Sequence, residues 1–189
     1  MTEDQEIDKV RTPREVAERA LALFAIVGLG FGTDRQSALE WLADNNLNEA
    51  LSPSERILIE AEQPTPKQLV NASWQSECLI VLLWALDLIG SLPAADEQCD
   101  SRIFQAFLPP YAEISVADFI AAARLLPDSV LVAMSDEILD LHWHARDAQI
   151  HSRAPVRPVD IEIIQERHHA INWIIGYDGL AWDEVTTDT

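Results

Sequence analysis

The sequence is poor in residues that cross-link a chain or bind metal through sulfur. Of its 189 residues only Cys78 and Cys99 are cysteines, and they form no Cys-x-x-Cys pair. One bridge between the two is possible, but the sequence supports neither a disulfide scaffold nor a zinc knuckle. Cys78 lies in an apolar run and is interpreted as a small buried residue. We accordingly assign no metal site, no cofactor and no catalytic residue.

Basic residues are also few. The chain has 13 Lys and Arg residues against 32 Asp and Glu residues, which gives a formal net charge of −19. A surface of this sign repels phosphate backbones and anionic lipids, so we expect neither nucleic acid nor membrane as a partner. The same field attracts a basic protein or a cationic ligand.

No apolar run is long enough for a membrane helix. The longest runs, residues 20–31 and 78–86, fall short of the roughly 20 residues needed. Residues 1–6 are acidic and precede no apolar segment of the signal-peptide type. These features favour a cytoplasmic protein.

Strand-type alternation does not persist anywhere, whereas helical periodicity and caps recur. We predict an all-α fold, a single-domain multi-helix bundle around a long apolar central helix. That central helix is predicted from a capping box at Thr65 to a stop at Gly90. Residues 1–12 are predicted to be a flexible acidic N-terminus, and residues 13–189 a single helical domain. Five other helices are predicted, at residues 13–28, 34–42, 115–126, 129–151 and 160–175. A further, short helix is predicted to begin at residues 52–53.

The glycines Gly28, Gly30 and Gly32 follow an apolar run, as in a nucleotide-binding loop. Thr33 occupies the position of the third glycine of the Gly-x-Gly-x-x-Gly pattern, and no alternation of strand and helix follows. We interpret the segment as a helix end followed by a turn.

Two patterns of potential metal ligands are weak. Glu166 and His169 have the Glu-x-x-His spacing of di-iron bundles, but such a site needs a second pair, and the sequence has none. Four further residues share one side of a predicted helix and are interpreted as a solvated polar face: Asp140, His144, Asp147 and His151.

Charged residues inside apolar helical arcs are more informative. Arg167 points into the apolar arc of residues 160–175, and His142 and Arg146 into that of residues 129–151. Glu77 shares a face with Trp74 and with other apolar residues of the central helix. A buried guanidinium requires a carboxylate, so we predict that Glu77 is buried and paired with Arg146, Arg167 or both. Asp183 and Asp188 in the C-terminal tail are alternative carboxylate partners.

Such a cluster has two interpretations: a satisfied network that sets helix register, or the lining of a ligand pocket. The candidate binding residues are Glu77, His142, Arg146, Asp147, Glu166, Arg167, His169, Asn172 and Asp183. Near the C-terminus, Trp182 is expected to dock the tail onto the bundle.

Several of these residues lie in segments that resemble a known family. The segments are Asn-Ala-Ser-Trp-Gln-Ser-Glu at 71–77, Leu-Leu-Trp-Ala-Leu at 82–86, Leu-His-Trp-His-Ala-Arg-Asp-Ala at 141–148, Glu-Arg-His-His-Ala-Ile-Asn-Trp at 166–173 and Trp-Asp-Glu-Val-Thr-Thr-Asp-Thr at 182–189. Together they resemble the domain-of-unknown-function family 4272. The resemblance implies a helical, single-domain, bacterial cytoplasmic protein and no particular activity.

Two classes of function remain. The leading one is a non-catalytic binding or interaction protein, of which an acidic inhibitor or immunity-type protein with a basic partner is a specific form. The alternative is an enzyme or small-ligand-binding protein that uses Glu77, Arg146, Arg167, Glu166 and His169. Bound metal in the purified protein favours the enzyme, and a partner released by salt favours the inhibitor.

Overall fold

Side-chain caps begin most of the helices in the computed structural model, which describes residues 9–189. The Thr12 hydroxyl accepts the Glu15 N–H, and the Glu15 carboxylate accepts the Thr12 N–H at 2.8 Å. Equivalent capping boxes begin the helices at Pro53 and Pro66. The helices are α1 (Pro13–Gly30), α2 (Arg35–Asp44), α3 (Pro53–Glu60), α4 (Pro66–Trp74), α5 (Ser76–Ala85), α6 (Ile103–Phe107), α7 (Val116–Ala122), α8 (Asp128–Ile150) and α9 (Ile161–Ile175).

The fold is all-α, as predicted, with no strand within residues 9–189. The prediction of one long central helix is wrong. Gln75, with φ −63° and ψ −5°, separates α4 from α5, and α5 ends at Ala85, short of Gly90. Asp87 then adopts a left-handed φ of 58°, and the Leu88 N–H bonds the Leu83 carbonyl, which closes the helix end.

The core is built around α5, whose ten residues are all buried. α1 packs against both α4 and α5, while α9 packs against α5 and α8. A helix such as α5, which has no polar face, is stable only when other helices surround it. In the part of the chain that the structure describes, no helix has the length and apolar character needed to span a membrane.

Glycine is required where α1 meets α4. A Cβ atom on Gly30 would collide with the backbone of Ser73 and, at 2.8 Å, with the Leu69 carbonyl oxygen. Gly28 precedes this contact, and its carbonyl accepts the Thr33 N–H at 2.8 Å. The glycine-rich segment therefore forms the end of α1 and its close crossing with α4. The helix end agrees with the prediction from the sequence.

The chain before α1 is fastened to α9. Arg11 donates its backbone N–H to the Ile174 carbonyl at 2.9 Å, and its guanidinium donates to the carbonyls of Trp173 and Leu180. Gly176, at φ 76°, lets the backbone of Lys9 pass close by. Residues 9–12, which we assigned to a flexible terminus, are thus held in place. The rest of that prediction, residues 1–8, lies outside the described residues.

The C-terminal tail also packs on the bundle, as expected for Trp182. This residue is buried, and its ring contacts the rings of Trp173 and His169 with centroid distances of 5.4 and 4.7 Å. Asn172 donates from its side-chain amide to the Thr186 carbonyl at 3.0 Å. The tail therefore closes over one face of α9.

Candidate functional site

Helix α9 carries polar residues on two of its faces. Arg167 and His168 are buried and point toward α5 and α8, whereas Glu166 and His169 are half-buried beneath the C-terminal tail. Because Ile163, Ala170 and Ile174 lie between Glu166 and Arg167 around the helix, each polar pair needs its own partners. The predicted cluster is accordingly divided into separate groups.

Glu77 is fully buried and pairs with Arg167, as predicted. One carboxylate oxygen accepts from Arg167 Nε at 2.9 Å and from Arg167 Nη2 at 2.8 Å. The other oxygen accepts the Cys99 N–H at 2.6 Å. The guanidinium also donates to the carbonyls of Pro93 and Ala94 at 2.7 and 3.3 Å. Every polar position of this pair is therefore used to join α5, α9 and residues 93–99, which is the register-setting interpretation.

His142 pairs with His168, not with a carboxylate. Their Nδ1 atoms are 2.9 Å apart, and both rings are buried. Burial lowers the pKa of His168 to about 4 and also lowers the pKa of His142. Both rings are thus neutral at pH 7, and one Nδ1–H donates to the other Nδ1.

Arg146 is exposed on α8, so its predicted place in the core is wrong. The apolar residues of α8 form two separate faces, and Arg146 belongs to the outer one. Asp147 is half-buried at the end of α8, where it pairs with Arg153 and His151. Neither residue joins the other candidates.

A buried ion pair that sequence reasoning missed lies beside the tail. Arg19 of α1 pairs with Glu55 of α3 and donates to the Ala50 carbonyl at 2.7 Å. Its guanidinium carbon also lies 4.3 Å from the centre of the Trp182 ring. The sequence contains an indication of this pair, because Arg19 interrupts the apolar arc of α1 and Glu55 is the acid of a capping box.

Of the four remaining candidates, Asn172 bonds the Thr186 carbonyl, and the other three meet in a cleft between α9 and the tail. This cleft, called the α9 cleft below, has a volume of about 310 Å³. Its lining residues are Ser54, Gln75, Cys78, Glu166, His169, Trp182 and Asp183. Three of the nine predicted site residues, Glu166, His169 and Asp183, are therefore brought together here.

The floor of the α9 cleft is a protonated thiol beside a carboxyl group. Cys78 Sγ lies 3.1 Å from the Glu166 carbonyl and 3.2 Å from Glu166 Oε2. Burial, followed by the charge of Glu166, raises the pKa of Cys78 well above its usual value. Burial also raises the pKa of Glu166, despite the hydrogen bond from the thiol. The thiol is a donor here and not a thiolate.

His169 is neutral within this cleft. Burial lowers the pKa of its imidazole to about 4, and the positive charge of Arg19 acts in the same direction. The ring stands edge to face against Trp182, with an interplanar angle of 73°. His169 thus contributes a hydrogen-bonding group to the cleft without a positive charge.

Asp183 attaches the tail to the start of α3. Its carboxylate accepts the Ser54 N–H at 2.8 Å and the Ser54 hydroxyl at 2.9 Å. Burial raises the pKa of this carboxyl group, but hydrogen bonds from Ser52 and Ser54 outweigh burial, and the net shift is downward. Asp183 is therefore ionised at neutral pH.

Three buried polar atoms of the described residues have no hydrogen-bond partner: Arg19 Nε, Gln75 Oε1 and Ser76 Oγ. An unsatisfied buried acceptor costs about 1–3 kcal/mol, so each such atom requires an explanation. Gln75 is the one of the three that lines the α9 cleft. A donor on a bound molecule would satisfy its carbonyl oxygen.

A larger cavity of about 370 Å³ lies elsewhere, along α1 and α2. Its aromatic lining residues are Phe24, Phe31, Trp41, Phe104 and Tyr111. It has no charged side chain in its lining and contains none of the predicted site residues. Because chemistry and specific polar recognition require titratable or unsatisfied groups, the α9 cleft is the stronger candidate site.

The α9 cleft does not have the ligands of a metal centre. Within residues 9–189 no group of three or more His, Cys, Asp or Glu side chains is arranged to hold a metal ion. Glu166 and His169 are directed to the thiol and to the Trp182 ring, respectively. The groups present instead form a small acidic pocket suited to hydrogen bonding.

Comparison with known proteins places the chain in a family. A family model described as a domain of unknown function (DUF4272) matches residues 1–185, nearly the whole chain. The chain therefore belongs to this family, as the resemblance of its tryptophan-containing segments implied. Comparisons with curated proteins and with solved structures gave no match. Function must accordingly be argued from the site.

Proposed function

We propose that this member of the DUF4272 family is a non-catalytic binding protein whose α9 cleft takes a small molecule with an amino, amidinium or guanidinium group. The observation that carries the proposal is the unsatisfied acceptor Gln75 Oε1 in the same cleft as the Glu166 carboxyl group. A nitrogen cation supplies N–H donors to both oxygens and a charge that matches the carboxylate.

The charges around the α9 cleft support a cationic ligand. Glu166 and Asp183 are the ionisable acids of its lining, while His169 is neutral above a pH of about 4. The nearby guanidinium of Arg19 is already paired with Glu55. The formal charge of −19 on the whole chain further steers cations toward the protein.

The state of Cys78 supports binding over covalent catalysis. Nucleophilic attack by cysteine requires the thiolate, which forms when a neighbouring positive charge lowers the pKa. In this cleft burial and Glu166 raise that pKa instead. Cys78 is therefore not an activated nucleophile.

Thermal unfolding in the presence of small probes tests the proposal. Methylguanidine, putrescine and benzamidine are the cationic probes, and acetate is the anionic control. We expect at least one cationic probe to raise the melting temperature of the wild type, because ligand binding stabilises the folded state. Glu166→Gln should abolish this increase, whereas Glu162→Gln, an exposed acid on the same helix, should retain it.

Two results would contradict the proposal. One is an equal increase with acetate, which would show that charge is not recognised. The other is an undiminished increase in Glu166→Gln, which would place the probe outside the α9 cleft.

A basic protein is a second candidate partner, and the observation that favours it is the formal charge of −19. Under this proposal the chain acts in a bacterial cytoplasm as an inhibitor that covers a basic surface. A pulldown should then recover a basic protein that about 0.5 M salt releases. Retention of every bound protein in salt would contradict it.

A further inference from the structure

Helix α8 has an outer face that no other part of the described chain covers. Four large apolar side chains on it are exposed: Val132 (46%), Leu139 (42%), Trp143 (50%) and Ile150 (70%). The inner face of the same helix is separate and contributes Leu131, Ile138 and Ala145 to the core. Exposed apolar residues that share one stripe mark an interaction surface.

The outer face has the spacing of a helix-packing seam. Val132, Asp136, Leu139, Trp143, Arg146 and Ile150 follow one another at steps of four and three residues. At 100° per residue these six residues fall within an arc of about 80°. The seam is about 27 Å long, because each residue of a helix rises about 1.5 Å. This is the pattern of residues that contact a second helix.

The seam is complementary to itself when two copies run antiparallel. When the two-fold axis crosses the seam at the level of residue 141 along the helix, Val132 meets Ile150 of the second copy and Leu139 meets Trp143. In the same register Asp136 meets Arg146, so that opposite charges face each other on both sides of the axis. A parallel arrangement instead opposes Asp136 to itself and Arg146 to itself, which is repulsive.

The charges of the seam are free to pair in this way. Within residues 9–189 neither Asp136 nor Arg146 has an ion-pair partner. Acids that flank the seam are already neutralised inside the chain: Asp140 pairs with Arg157 at 3.0 Å, and Asp147 pairs with Arg153.

We infer that the chain forms a homodimer through antiparallel contact between the outer faces of two α8 helices. The partner is a second copy, because the seam matches itself in both apolar size and charge. One helix pair lies at the small end of specific interfaces, below about 1,200 Å², so we expect a weak dimer that forms only at high concentration. This inference does not depend on the α9 cleft, because no residue of α8 lines that cleft.

Sedimentation velocity from about 5 to about 500 µM tests the dimer. About 0.3 M salt is included to screen the repulsion between two chains of formal charge −19. The wild type should change from monomer to dimer across this range, and Trp143→Glu should remain monomeric. Ile57→Glu, at an exposed position of α3, is the matched control and should dimerise like the wild type.

Charge reversal tests the register. D136R and R146D each place like charges opposite one another, so each should raise the dissociation constant about tenfold or more. An equimolar mixture of the D136R and R146D chains opposes unlike charges at every position and should recover the dimer. Failure of the mixture to recover, or a wild type that remains monomeric at every concentration, would overturn the inference.

Discussion

At the scale of single residues, the molecule uses buried polar groups in two ways. The pairs Glu77–Arg167 and Arg19–Glu55 connect helices that are distant in sequence. Glu166 and Gln75 instead line a cleft, and the buried acceptor of Gln75 has no partner within the described residues. The first kind of group stabilises the fold, and we propose that the second kind contacts a ligand.

Replacing Glu77 tests the first kind. Glu77→Ala leaves the Arg167 guanidinium buried without its carboxylate and removes the acceptor of the Cys99 N–H. The free energy of unfolding should therefore fall by about 3–5 kcal/mol. Glu162→Ala, at an exposed position of α9, should change it by no more than about 0.5 kcal/mol. Denaturant melts measure both, and equal midpoints would contradict the structural role of the pair.

The buried histidine pair should make stability depend on pH. Burial lowers the pKa of His168 to about 4, so the unfolded chain binds a proton more readily between pH 4 and the ordinary histidine value near 6.5. The contribution of His168 to the free energy of unfolding is therefore fully present above about pH 6.5. It decreases by about 1.4 kcal/mol per pH unit as the pH falls toward 4. His169 has a similar shift and adds to the slope.

Melts from pH 4 to pH 7 measure this slope. His168→Gln should reduce it relative to the wild type, because the buried histidine that resists protonation in the folded state is then absent. A slope that is the same in the wild type and in His168→Gln would show that His168 titrates normally.

Single-sequence reasoning located the buried acid and one of its two proposed arginine partners. In α9 one apolar arc faces the core, so Arg167 within that arc was predicted to point inward. In α8 the apolar residues form two faces, and helical periodicity does not distinguish the core-facing one, so the predicted position of Arg146 was wrong. The contact of Cys78 with Glu166 joins positions 88 residues apart, and no local pattern indicates it.

At the scale of elements, caps and periodicity predicted where helices form. They did not predict where a helix is interrupted. Thr65 and Gln68 begin α4 as predicted, and Asp160 caps α9. The turn at Gln75 has no Pro or Gly to indicate it. α4 and α5 have different packing partners, because α4 lies on α1 and α5 also contacts α9. Such a break is set by tertiary packing and is not visible in an apolar periodic sequence.

The C-terminal tail is the element whose removal should have the clearest effect. A chain that ends after Gly179 loses the burial of Trp182, the bonds of Asp183 to Ser54 and the contact of Asn172 with Thr186. Its melting temperature should fall by at least about 6 °C. Removal of residues 187–189 alone leaves these contacts in place and is the control. Equal melting temperatures for the two truncated chains would contradict the docking of the tail.

At the scale of the whole molecule, charge is the dominant feature. Thirty-two acidic residues on a compact chain repel one another more strongly in the folded state than in the expanded unfolded state. Ion pairs such as Asp100–Arg102 and Asp140–Arg157 relieve only part of this repulsion. The same field favours cations near the surface.

Salt should therefore stabilise the protein. Raising the salt concentration from about 0.02 to about 0.5 M shortens the Debye length and screens the repulsion, so the melting temperature should increase. Scans of the same sample in the two buffers measure the effect. A decrease would show that attractive surface pairs outweigh the net charge.

A crystal structure of the protein soaked with the cationic probe that stabilises it most shows whether the α9 cleft binds a cation. We expect probe density in the α9 cleft, with nitrogen atoms within hydrogen-bond distance of a Glu166 carboxylate oxygen and Gln75 Oε1. Density in the aromatic cavity along α1 and α2, with the α9 cleft empty, would contradict it.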